Sequence, residues 1–139
     1  MRIATHSIEI STRGHTDIHD LTSAVQALLE QEGLNEGQAL LFVPGSTAGL
    51  TTLEYEPGLL KDLPEMFERL APEQADYHHH QTWGDRNGSG HLRAALTGPS
   101  LSVPFVDRHL CLGTWQQIVL IDFDERPRRR TVYCQITGQ

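Results

Sequence analysis

The stretch Leu101-Ser-Val-Pro-Phe-Val-Asp-Arg-His-Leu-Cys-Leu-Gly-Thr-Trp-Gln-Gln-Ile-Val-Leu-Ile-Asp-Phe123 decides the fold. Leu101, Val103 and Phe105 alternate with Ser102 and Pro104, the period of a strand with one buried face. Asp107-Arg108 predicts a turn, and 109–112 a short returning strand. Residues 114–123 are apolar on both faces, which predicts a strand covered on both sides. A turn around Pro127 leads to a last strand near 130–137. A strand-rich C-terminal half of this kind exposes sheet edges unless they are closed or paired with a neighbour.

The N-terminal half adds the helices. Residues 2–11 alternate, with Ala4, Ile8 and Ile10 on one face, and predict a strand. Thr16 is placed to cap a helix that Asp17 and Asp20 favour through the helix dipole. Ile18, Leu21, Val25 and Leu28 mark its apolar face, and Gly33 ends it. Residues 38–44 read as a buried strand, Pro44-Gly45-Ser46 as a turn, and 50–56 as another strand. Residues 59–70 fit a second helix, opened or kinked by Pro64. Residues 71–88 read as a long polar loop. Asn87 or Ser89 caps a third helix over 89–97, stopped by Gly98-Pro99. The expectation is one α+β domain over 1–139, with a mostly antiparallel, curved or sandwiched sheet and two to three helices.

Composition narrows the function. The chain has 18 acidic and 11 basic residues in 139, a formal charge of −7. Residues 1–85 hold 14 acids against 4 bases, whereas 86–139 hold 4 against 7. An acidic total argues against a general nucleic-acid binder, yet leaves room for a local anion pocket. The longest apolar runs, 39–43 and 118–121, fall far short of the roughly 20 residues of a membrane helix. The N-terminus lacks the apolar core of a secretory signal. Cys111 and Cys134 lie in apolar strand-like segments and read as buried, reduced thiols. A cytoplasmic protein is expected, with neither nucleic acid nor membrane as a partner.

The chemistry-bearing residues cluster at 77–93, Tyr-His-His-His-Gln-Thr-Trp-Gly-Asp-Arg-Asn-Gly-Ser-Gly-His-Leu-Arg. Histidine suits metal ligation and proton transfer. His91 falls in the first turn of the predicted helix, where the dipole disfavours imidazolium. Asp85 and Asn87 share its neighbourhood. His78, His79 and His80 read either as a solvated run or as part of this site. Glu54 and Glu56 share a strand face, with Glu54 on the side of Leu50. That face is either solvent-exposed or demands a partner for the carboxylate. Gly45-Ser46-Thr47-Ala48-Gly49 is either a plain turn or an anion cradle. Arg128 and Arg130 share one face of the last strand, as phosphate ligands or as a charged hairpin tip. Trp115 and Gln116 open the apolar strand, with Gln116 facing a pocket or bonding backbone.

Two further runs carry a resemblance. They are His91-Leu-Arg-Ala-Ala-Leu-Thr-Gly-Pro-Ser-Leu-Ser-Val-Pro104 and Leu110-Cys-Leu-Gly-Thr-Trp-Gln-Gln-Ile118. With them the chain resembles the YjbQ-like, or secondary thiamine-phosphate synthase, family over nearly its whole length. The resemblance implies a compact α+β fold, a homotrimer, and sites lined by histidines and acids. The family's spaced histidine pair falls on His80 and His91, and its acid after the small-residue turn on Glu54. The implied activity joins a pyrimidine methyl diphosphate to a thiazole phosphate and releases diphosphate.

On this reading Glu54, Asp85 and His91 are catalytic. Ser46, Thr47, Asn87, Arg93, Gln116, Arg128 and Arg130 bind a small phosphorylated metabolite. His80, His91 and Glu54 hold a divalent ion, zinc or magnesium. Two departures stand out: Gly45 where many members have histidine, and Leu53 where many have asparagine. His78, His79 or Glu56 are the residues that compensate if a ligand is lost. A non-catalytic trimer that binds a metal or a phosphorylated metabolite is the alternative, and a metal-dependent hydrolase ranks last.

Overall fold

The computed structural model describes residues 1–139 and carries eight strands and four helices. β1 (Arg2–Thr12), β3 (Gly37–Phe42), β5 (Ser100–Val106), β6 (His109–Leu110) and β8 (Arg128–Gly138) form a five-stranded sheet in the order β1-β8-β3-β5-β6. β2 (Asp17–Asp20), β4 (Ala48–Leu53) and β7 (Gln117–Asp122) form a second sheet in the order β2-β7-β4. Every pairing is antiparallel. The helices are α1 (Thr22–Glu32), α2 (Leu59–Leu70), α3 (His78–Trp83) and α4 (Gly88–Thr97). The α+β, sandwiched-sheet expectation is met, with α3 as a fourth helix inside the stretch read as loop.

The alternation of side chains explains the layers. Inward residues of the large sheet, such as Ala39, Leu41, Val103, Phe105, Val132 and Ile136, pack on Leu50, Ile118 and Leu120 of the small sheet. Val25 and Leu29 of α1 complete that core. Each is completely buried and contributes about 1.5–3 kcal/mol over an exposed side chain. The other face of the small sheet, Ile18, Val119 and Ile121, packs on Phe67 of α2 and Ala94 of α4. β7 is therefore covered on both sides, which is why its sequence has no polar face.

Three local readings are corrected. Residues 17–20 form β2 rather than the first turn of a helix, because Ile18 pairs with Ile121 across the small sheet. Thr16 is thus no cap; α1 begins five residues later, where Asp20 accepts from the Thr22 N–H. The strand after the Gly45 turn ends at Leu53, and that before β8 begins only at Gln117. Cys134 is buried, and burial raises its thiol pKa to about 11, but Cys111 is exposed beyond the short edge strand β6. No helix is long and apolar enough to cross a membrane.

Candidate active site

α4 is pressed closely onto the small sheet. A side chain at Gly90 would meet the Phe123 carbonyl oxygen at 2.5 Å, so only glycine allows this approach. It brings the first turn of α4 over the small-residue turn 45–47. His91, Gly45, Ser46, Ala48, Ala94, Ala95 and Pro99 line an open depression of about 350 Å³ there. α3 folds back across the start of α4 and sets the His79 ring 4.4 Å, centroid to centroid, from that of His91. His79 Nε2 lies 3.1 Å from Asn87 Oδ1 and 3.4 Å from Asp85 Oδ1. Burial first, then the neighbouring His79, holds His91 below the ordinary imidazole pKa, against the pull of Asp124 and Asp85. The neutral ring of His91 is thereby favoured, by burial and the neighbouring ring, where the sequence reading gave the helix dipole as the cause.

Beneath the histidines lies a buried ionic network whose two carboxylates, Asp122 and Asp124, the sequence reading did not single out. Asp122 ends β7 and Asp124 follows it; they are 0% and 1% exposed. Arg130 meets Asp122 with Nε at 2.7 Å and Nη2 at 3.0 Å. Its Nη2 also donates to Thr47 Oγ1 at 2.7 Å, and Thr47 donates to Asp124 Oδ2 at 3.0 Å. Arg128 reaches the same Asp124 oxygen at 2.8 Å, and Thr12 of β1 donates to Asp122. Burial pushes the Asp124 carboxyl up, but the Glu125 N–H, Thr47 and Arg128 outweigh it, and its pKa is lowered. The network ties the small sheet to the large one, since Asp122 belongs to the first, and Arg130 and Thr12 to the second. Asn87 joins it to the histidines by donating to Asp124 Oδ1 at 3.4 Å.

The expected site residues divide. Ser46, Thr47, Asp85, Asn87, His91, Arg128 and Arg130 gather around the start of α4. Arg93 does not: two residues from His91 on a helix, it faces the other way. There it is 3% exposed and satisfied by the Ala71 carbonyl, Thr16 and Glu68. Glu54 is exposed just past β4, at the Gln117 end of the small sheet. With about 3.3 Å per strand residue, it lies on the order of 20 Å from the Thr47 end. Gln116 is near Glu54, bonded to Thr52 and the Gly113 N–H rather than facing the histidines. Glu56 accepts from the Gly58 and Leu59 N–H groups and starts α2. Trp115 is exposed.

The expected metal trio does not fit within one chain. Glu54 is remote, and His80 Nε2 already accepts from the Gly88 N–H at 3.1 Å. No group of three or more His, Cys, Asp or Glu side chains converges to hold an ion. Gly45, at φ 113°, has Arg130 Nη1 at 3.0 Å from where a Cβ would stand. The guanidinium fills the space at that position.

The missed residues had a signal. Asp122 and Asp124 stand two residues apart before the Pro127 turn, as Arg128 and Arg130 do after it, an acid pair and a base pair flanking one turn. The apolar run around Asp122 masked it.

So built, the molecule is a two-sheet antiparallel α+β domain with an imidazole pair resting on a buried carboxylate network. It belongs to the YjbQ-like family: the family model described as UPF0047 protein YjbQ-like matches residues 6–139. A UPF0047 protein of Methanothermobacter thermautotrophicus is 34% identical, over 100% of this chain and 95% of its own. The UPF0047 protein YugU of Bacillus subtilis is 32% identical, over 95% and 98%. Among solved structures, a YbjQ-like protein of unknown function from Sulfolobus solfataricus superposes with a TM-score of 0.93. It is 28% identical and covers 99% of both chains. A hypothetical protein from Aeropyrum pernix gives 0.91 at 31% identity, covering 98% of this chain and 99% of its own.

Proposed function

We propose that the chain is an acid–base enzyme acting on a small phosphorylated metabolite, with the thiamine-phosphate synthase reaction as its chemistry. In that reaction the thiazole nitrogen forms a bond to the pyrimidine methylene carbon, and the bond from that carbon to the diphosphate oxygen breaks. The closely spaced His79 and His91, with His91 kept neutral, carry this reading, because such a pair is suited to relaying a proton onto the departing diphosphate oxygen. Ser46 and the backbone of the 45–47 turn line the same depression and suit a phosphate group. Asp85 steadies the positive charge when an imidazole is protonated, and Asn87 orients the ring.

The assembly in this reading is a homotrimer. The outer face of the large sheet supports it: no helix covers Ile3, Leu40, Phe42 and Tyr133, and all four are exposed. A neighbouring copy is then the source from which Glu54 and Gln116 reach the histidines. Light scattering is expected to give three times the 15.6 kDa chain mass.

The test is turnover of the two phosphorylated precursors by purified protein. His91→Ala is expected to lower it by about 10²–10⁴-fold. No turnover, or equal turnover in the variant, overturns the enzyme reading.

One observation favours a second reading, a binding protein without catalysis. Arg93, Arg128 and Arg130 are all engaged by carboxylates, so none of the three arginines expected to bind phosphate is left to neutralise a departing diphosphate. Thermal stabilisation by phosphorylated metabolites without product is its expected result.

A further inference from the structure

We propose that Nδ1 of His79 is the proton-transferring atom of this site and that Asn87, oriented by Asp124, positions it by fixing the ring's tautomer; the catalytic part rests on the enzyme reading above. The direction follows from hydrogen-bond chemistry. An ionised carboxylate only accepts. Asp124 therefore requires the amide NH2 of Asn87 on its side, where Nδ2 stands 3.4 Å from Oδ1. The Asn87 carbonyl oxygen must then face His79, and it lies 3.1 Å from Nε2. A carbonyl also only accepts, so Nε2 of His79 carries the hydrogen. Asp85, the other partner of Nε2 at 3.4 Å, demands the same. The lone pair of the neutral ring is thereby placed on Nδ1.

Asn87 is 8% exposed, so water does not readily replace these bonds. Asp124 is itself held by Thr47, Arg128 and the Glu125 N–H, which fix the end of the chain that sets its polarity. In the reaction above the departing diphosphate oxygen takes its proton from Nδ1 of the protonated ring, which is left neutral with its hydrogen on Nε2 and is recharged by a proton from water. Charged or neutral, the ring keeps its Nε2–H on the Asn87 carbonyl and beside the Asp85 carboxylate. His79 is the residue that touches the reacting proton; Asn87 and Asp124 act through it. His80 offers a contrast on the next residue. Its Nε2 accepts from a backbone N–H, so its hydrogen sits on Nδ1, which is buried without a partner. Adjacent histidines thus hold opposite tautomers.

The test is nitrogen NMR on histidine-labelled full-length protein at a pH where the rings are neutral, with peaks assigned by His79→Gln and His80→Gln. The expected spectrum shows His79 as a single Nε2–H tautomer and His80 as the Nδ1–H tautomer. In Asn87→Leu the His79 signals are expected to move to the averaged positions of a mixture, with His80 unchanged as the check that the fold persists. Asp85→Asn, which leaves the Asn87 bond in place, is expected to keep the His79 tautomer. A wild-type His79 that is mixed or Nδ1–H overturns the proposal without any variant. So does an Asn87→Leu protein, folded by its His80 signals, in which His79 keeps its pure form. The spectrum needs no substrate, so failure to find turnover does not decide it. Where turnover is measurable, Asn87→Leu is expected to lower kcat at least tenfold with KM within about threefold.

Discussion

The two ends of the small sheet treat acidic side chains in opposite ways. At one end Asp122 and Asp124 are buried, each held by an arginine and a threonine, beneath the imidazole pair. At the other, Glu54 is exposed and Glu56 starts a helix. The same residue class supplies a rigid electrostatic base in one place and a solvated rim in the other. What separates them is the second sheet: β8 and β1 reach the Asp122 end with Arg128, Arg130 and Thr12. A buried carboxylate is tolerated only when such partners are delivered to it.

The largest expected effect comes from breaking the buried end. Asp122→Ala leaves Arg130 buried without its partner and is expected to cost about 3–5 kcal/mol in urea unfolding. A loss below about 1 kcal/mol would erase the distinction between the ends. A smaller effect comes from pH. His91 is held below its ordinary pKa, so the unfolded chain takes up its proton first, near pH 6.5. Stability is therefore complete above that pH and falls as pH drops toward the folded value, and His91→Gln should flatten this slope in thermal melts. At the exposed end, Glu56→Ala removes the start of α2 and is expected to cost about 0.5–2 kcal/mol. Gln116→Ala should cost about 0.5–1 kcal/mol, being exposed although bonded twice. Glu54→Ala should shift stability by no more than about 0.5 kcal/mol, while a subunit-bridging role predicts loss of turnover from the same variant.

Much of the fold was legible because it rests on alternation. The double-sided apolar run at 118–121 marked the strand covered by a sheet on one face and by helices on the other. The start of α1 was not legible: Ile18 and Leu21 suit a helix face as well as a strand, and only the partner strand decides between them. The site was half legible. His91, Asp85 and Asn87 lie within one short segment, so local spacing brings them together. Glu54 was grouped with them by resemblance and Gln116 by residue type, but the sheet carries them to its other end. Arg93 shows the limit of residue type as a guide. Its guanidinium suits phosphate, yet helix geometry turns it into the packing between α2, α4 and the Thr16 turn.

The pairing of β1 with β8 has a kinetic consequence. Thr12 bonds Arg128, 116 residues along the chain, and Thr5 meets Gln135 over a separation of 130. The edge of the large sheet cannot close until the last strand has been synthesised. Loop-closure entropy is met before these contacts give anything back, so the first strand waits unpaired through most of synthesis. Beyond Ile3 its outward residues Thr5, Ser7, Glu9 and Ser11 are polar, and together they suit a ribbon that must stay soluble until its partner arrives.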